Sequence, residues 1–156
     1  MVTVLRLFLL GMIVLSIGAC TSSTSNTPDG YYMTAKLGGE DFSAMESSCS
    51  GTMAGSTLVF AGTAGTTSPR QINISIPGAE AGKTFKVSSS LGMTMICTKG
   101  TTAADIYTAS LVSGSGELTL TKLSSTEAEG TFTFTGANSS GLALTVSEGK
   151  FRVVIR

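Results

Sequence analysis

The 156-residue chain has ten basic and ten acidic side chains, no histidine and no tryptophan, and many Gly, Ser and Thr residues. Without a basic excess it lacks the field that holds nucleic acid, and without histidine it has no Ser-His-Asp, Cys-His or imidazole–metal site. Few charges and many hydroxyl groups are typical of strands and turns with neutral hydroxyl faces.

The first twenty residues have the pattern of a bacterial lipoprotein signal. Arg6 is their only charged side chain, and the apolar run 7–17 is shorter than the roughly 20 residues that a membrane-spanning helix needs. The run ends on Ile17-Gly18-Ala19-Cys20, where small residues suit a peptidase and the thiol can carry lipid. We therefore predict cleavage before Cys20 and lipidation of Cys20. The alternatives are an uncleaved helical anchor, a buried strand, or cleavage without lipidation.

This signal divides the chain into three predicted segments. Residues 1–19 are the signal peptide, residues 20–30 are a polar Ser/Thr tether with a mean reach of about 18 Å, and residues 31–156 form one domain. Thr21 stands where an inner-membrane retention signal usually has Asp, and the acidic runs typical of surface export are missing. The expected location is therefore the cell envelope, in the outer membrane facing the periplasm, with the membrane contacted through the lipid on Cys20.

The domain begins with a predicted β-hairpin around Gly38-Gly39. A two-residue loop there pairs residues whose numbers sum to 77. Ala35 then lies opposite Phe42 on an apolar face, and Lys36 lies opposite Asp41 on a polar face. One register separates apolar from polar side chains and also pairs opposite charges, which favours it.

Further strands are predicted from alternation of apolar and polar residues or from turn signals. They cover residues 57–63, 71–76, 83–88, 92–98, 106–111, 116–123, 131–135, 142–146 and 151–155. No helical period extends over ten residues beyond residue 30. The fold class is therefore all-β, with about ten short antiparallel strands in a β-sandwich or a closed barrel, and the sequence leaves both open.

The segments 116–123, 129–134 and 146–153 resemble the closing strands of a family of small envelope lipoproteins. The family is typified by Bacteroidetes and is known as a domain of unknown function. Residues 33–39 and 42–44 are similar to its opening hairpin, with Phe42 where Trp is common. The resemblance spans most of residues 31–156. It implies a β-sandwich and carries over no catalytic residue.

Two cysteines remain once Cys20 is assigned to lipid. Cys97 shares strand parity with Met93 and Met95, and Cys49 shares parity with Met45 and Met53, so both thiols should face apolar neighbours. An even pair in an oxidising compartment favours a Cys49–Cys97 disulfide. The alternative is two inert buried thiols.

No catalytic constellation or cofactor motif is recognised, and the prediction is a non-enzyme without metal or cofactor. Ser115 lacks the spacing of a nucleophile elbow, and no calcium loop or phosphate-binding loop occurs. Paired carboxylates could still hydrolyse glycosides. The acids considered for that role are expected to be solvated turn charges: Glu40, Asp41, Glu46, Glu127 and Glu129.

Two functions from different classes remain. The first is a lipid-anchored envelope lipoprotein, structural or an accessory module, that binds an envelope protein through a sheet face or strand edge. The second is a lipocalin-like carrier of a small apolar ligand. Its cavity would be lined by Met93, Met95, Phe132, Phe134 and Leu144.

Overall fold

The computed structural model describes residues 30–156. The signal peptide, the lipidation site Cys20 and all of the tether except Gly30 lie outside the described residues. Eleven β-strands and two short 3-10 helices make up the described chain. The strands are β1 Tyr32–Leu37, β2 Glu40–Met45, β3 Cys49–Ala54, β4 Thr57–Ala64, β5 Arg70–Ile76, β6 Lys83–Lys86, β7 Thr94–Thr98, β8 Ile106–Ala109, β9 Ser115–Leu123, β10 Glu127–Ala137 and β11 Ala143–Ile155. The helices are Glu46–Ser48 and Ala103–Asp105.

The predicted all-β class is confirmed, and the fold combines features of a sandwich and a barrel. One layer has the strand order β2-β1-β11-β10-β9-β6, and the other has the order β3-β4-β5-β7-β8. The end of β11 pairs in parallel with β3, and Ala137 at the end of β10 pairs with Thr108 of β8. These two links close the strands β11-β3-β4-β5-β7-β8-β10 into a ring.

The first hairpin has the predicted register. Ala35 pairs with Phe42, Met33 with Ala44, and Lys36 with Asp41. Gly38 and Gly39 both have positive φ angles, of 61° and 93°, which the two-residue turn requires. The Lys36 ammonium lies 2.8 Å from the Asp41 carboxylate. The two residues predicted to pair on the polar face therefore form an ion pair.

Strand β11 is longer than predicted, because it joins the two predicted segments 142–146 and 151–155. Phe132 pairs with Gly149 and Phe134 with Val146, so two residues of β11 lie opposite Thr133. This β-bulge places Glu148 at a φ of 55° and lets the strand continue. The two predicted strands are therefore one continuous strand that contains a bulge.

The core lies between the two layers, which are in close contact. The Phe60 and Phe151 rings stack across the interface with centroids 4.3 Å apart. A Cβ atom added to Gly62 of β4 would lie 2.9 Å from the Met33 side chain of β1. The glycine is therefore needed for the distance at which the layers pack.

Candidate binding surface

The two cysteines of the described chain lie far apart in the same layer. Cys49 pairs with Gly62, Gly62 with Ile72, and Ile72 with Cys97, so β4 and β5 lie between the thiols. Three strand spacings amount to about 14 Å. A disulfide needs Cα atoms about 4.4–6.8 Å apart. The predicted Cys49–Cys97 disulfide is therefore wrong, and the alternative of two free buried thiols describes the structure.

Both thiols are unsuited to nucleophilic chemistry. Each side chain is fully buried, and burial raises the pKa of Cys49 and of Cys97 to about 11. A thiol with that pKa is almost entirely protonated at neutral pH, and the thiolate is the reactive form. Cys49 and Cys97 therefore act as small core residues.

The carboxylates weighed as glycosidase candidates lie beside cations. Glu129 accepts hydrogen bonds from the Arg152 guanidinium at 3.2 Å, and Glu127 lies 2.9 Å from the Lys122 ammonium. Glu40 lies 3.3 Å from Lys99, at the end of the sandwich. The remaining two acids occupy other positions: Asp41 pairs with Lys36 on the first hairpin, and Glu46 begins a 3-10 helix.

Residues 30–156 contain no group of three or more His, Cys, Asp or Glu side chains placed to hold a metal ion. No helix within that part of the chain has both the length and the hydropathy to cross a membrane.

The side chains expected to line a carrier cavity instead pack in the core. Met93, Met95, Phe132 and Phe134 are buried in one cluster, and Leu144 packs against it. The backbone approaches these side chains closely as well. A Cβ on Gly116 would lie 2.9 Å from the Met95 sulfur, and one on Gly149 would lie 2.6 Å from the Phe132 ring. A methyl group added at Gly116 or Gly149 would therefore overlap with Met95 or Phe132.

The outer faces of the two layers differ sharply in charge. The six-stranded layer presents charged side chains in adjacent cross-strand rows, including the row Arg152–Glu129–Lys122. We call this surface the charged face. It contains a shallow depression of about 220 Å³ at the bulge in β11. The depression is lined by Glu117, Thr119, Thr131, Phe132, Thr133, Glu148, Gly149 and Lys150.

The outer face of the five-stranded layer is uncharged, and we call it the neutral face. Its residues form three cross-strand rows in register. The central row is Ser50–Ala61–Asn73–Ile96–Thr108, and the flanking rows are Thr52–Val59–Ser75–Thr94 and Thr63–Gln71–Thr98–Ile106. Not one of these positions, all within the described part of the chain, holds Asp, Glu, Lys or Arg.

The neutral face also exposes apolar side chains. Val59 and Ile106 are 38% and 41% exposed. Ile96 and Ala61 lie between them in the central row and are partly exposed. The cores of protein interfaces are depleted in charged residues, and the neutral face shares this lack of charge. It is the candidate binding surface of the domain.

The composition of the chain predicts neutral hydroxyl faces but does not locate this one. The available signal was the distribution of charge along the chain. Residues 47–69, 71–79 and 87–98 contain no charged side chain, and they include β3, β4, most of β5 and all of β7. Those strands are neighbours in one layer, which is why the uncharged positions meet on a single face.

Comparisons with protein-family models, curated proteins and solved structures found no match to this chain. The resemblance to small envelope lipoproteins therefore stays a prediction.

Proposed function

We propose that this protein is a lipid-anchored lipoprotein of the bacterial cell envelope that works without catalysis, by binding a protein partner. The anchor is the lipid on Cys20, and the expected site is the periplasmic side of the outer membrane. On random-coil scaling, a tether of this length has a mean reach of about 18 Å. The partner binds the neutral face.

The observation that carries this proposal is the segregation of charge between the two outer faces. A solvated sheet face normally has polar and charged side chains, as on the charged face here. The neutral face has hydroxyl, amide and aliphatic side chains across all five strands of its layer. Covering it desolvates no ion, so a partner gains apolar contact without the cost of burying a charge.

The packing of the interior favours this function over the lipocalin-like carrier. A carrier needs a cavity of about 300–1,000 Å³ for a drug-sized ligand. The side chains expected to line such a cavity belong to one hydrophobic cluster instead, and the backbone at Gly116 and Gly149 closely approaches Met95 and Phe132.

The anchor is tested by replacing Cys20 with Ser. The parent protein is expected to begin at Cys20, to carry a lipid mass, and to partition into detergent. The Cys20→Ser protein is expected to lose both the lipid mass and the membrane attachment. A variant that is still processed at the same site and stays membrane-bound would contradict the anchor.

Partner binding is tested by co-purification from envelope extracts, with matched substitutions on the two outer faces. Ile96→Lys places a charge at the centre of the neutral face, and Thr131→Lys places the same charge on the charged face. We expect Ile96→Lys to lose the proteins that co-purify with the parent and Thr131→Lys to retain them. The reverse pattern would show that the neutral face is not the binding surface.

A further inference from the structure

The arrangement of the neutral face specifies which partner it fits. The face has no charge, so two copies of it meet without repulsion between like charges. Pairing two copies of the charged face would instead require the charged side chains of both copies to lose solvent. We propose that the neutral face binds a second copy of this chain, giving a face-to-face dimer with a twofold axis parallel to β5. This inference rests on the proposed function, since it names the partner for the same surface.

The central row is complementary to itself about that axis. β5 is the middle strand of the five, with β4 on one side and β7 on the other. A twofold axis along β5 places β4 of one copy over β7 of the other. Ala61 then faces Ile96 of the second copy, and Ile96 faces the second Ala61, so that a small side chain opposes a large one twice.

The residue at the axis is suited to meeting its own copy. Asn73 lies between Ala61 and Ile96 in the central row. A side-chain amide has both donors and an acceptor, so two asparagines related by a twofold axis can hydrogen-bond to each other. A charged residue at this position would repel its copy.

The area of the face indicates a weak, reversible dimer. The three rows contain thirteen outward positions, each covering about 33 Å² of sheet. Two such faces together cover about 850 Å², which is below the roughly 1,000 Å² of a stable specific interface and in the range of a transient one. Attachment to one membrane would raise the effective concentration of the two copies.

The test is a symmetric disulfide in the intact, envelope-localised protein. Asn73→Cys places a thiol at the predicted axis, and Thr131→Cys places a thiol on the charged face as the matched control. After mild oxidation of cells, we expect Asn73→Cys to give a reducible product with the mass of two chains. Thr131→Cys should remain at the mass of one chain. Equal dimer formation by both variants, or none by Asn73→Cys, would overturn the inference.

A second substitution links the cross-link to the predicted contact. Ala61→Arg in the Asn73→Cys background places a long cation against Ile96 of the second copy, so the dimer product should be lost. Thermal unfolding of the variant checks that the domain still folds.

If Asn73→Cys instead links to a protein of different mass, self-association is wrong and the proposed function stands. If co-purification through the neutral face also fails, both are wrong.

Discussion

Among the individual residues, Cys49 and Cys97 owe their chemistry to burial in the five-stranded layer. Their positions in the alternation of apolar and polar residues correctly place both side chains on the core face of their strands. The alternation does not show which strand lies beside each of them. The two thiols share a layer and a row, with Gly62 and Ile72 between them. The predicted orientation of the two thiols toward the core is therefore correct, but their separation is too large for a disulfide.

The buried thiols predict a specific dependence of stability on pH. In the unfolded chain a thiol ionises near its ordinary pKa of 9.0, and in the folded domain the pKa is about 11. Their contribution is therefore fully present below pH 9 and is lost as the pH rises from 9 through about 11. We expect the Cys49→Ala/Cys97→Ala variant to be less stable than the parent at pH 8. We also expect its denaturant midpoint to fall less than that of the parent between pH 8.5 and 10.5.

The same thiols should be protected from alkylation in the native protein. Iodoacetamide should modify the peptides containing Cys49 and Cys97 only after unfolding, without prior reduction. Peptide-level mass spectrometry keeps Cys20 out of the measurement. If the unfolded chain is modified only after reduction, the two cysteines form a disulfide and the assignment of free thiols is wrong.

Glu148 is the second informative residue, because its backbone has a φ of 55° within the β11 bulge. A residue with a Cβ atom pays about 1–2 kcal/mol in that conformation, and glycine does not. Glu148→Gly should therefore stabilise the domain by about 0.5–1 kcal/mol after allowing for the greater entropy of glycine in the unfolded chain. Glu148→Ala is the control, since it removes the carboxylate and retains the Cβ atom. An equal gain from both variants would assign the effect to charge.

At the scale of elements, sequence predicts best where one register satisfies several requirements. The register of the first hairpin is predicted correctly because its turn, its apolar face and its ion pair all require the same pairing. Strand β3 was missed, since Cys49-Ser50-Gly51-Thr52-Met53-Ala54 has small polar residues and weak alternation. It forms a hairpin with β4, which follows it directly in the chain, and it pairs in parallel with the end of β11, which is distant in sequence. A local pattern does not contain the contact with β11.

The contact between the layers is tested at Gly62 of β4. An added methyl group would lie 2.9 Å from the Met33 side chain and 3.2 Å from Ala44. Overpacking of this kind costs typically about 1–3 kcal/mol, so Gly62→Ala should lower the free energy of unfolding by that amount. Ser43→Val adds volume at an exposed position of β2, outside the neutral face. It should change stability by less than about 0.5 kcal/mol. A neutral Gly62→Ala would show that the layers pack less closely there.

At the scale of the whole molecule, fold class was predictable from composition and alternation, and the candidate surface was not. Whether the strands formed a sandwich or a barrel depended on two short links, β11 with β3 and β10 with β8. These join residues far apart in sequence, so no local signal chooses between the alternatives. The neutral face needed the strand order as well, because uncharged stretches form a surface only when their strands are neighbours.

Site-specific photo-cross-linking in living cells tests whether the domain binds its partner through the neutral face. A photoreactive amino acid at Ile96 samples the neutral face, and the same group at Thr131 samples the charged face. We predict protein adducts from position 96 and few or none from position 131, with both proteins present in the envelope at equal amounts. Adducts from position 131 alone, or identical adducts from both positions, would contradict the account.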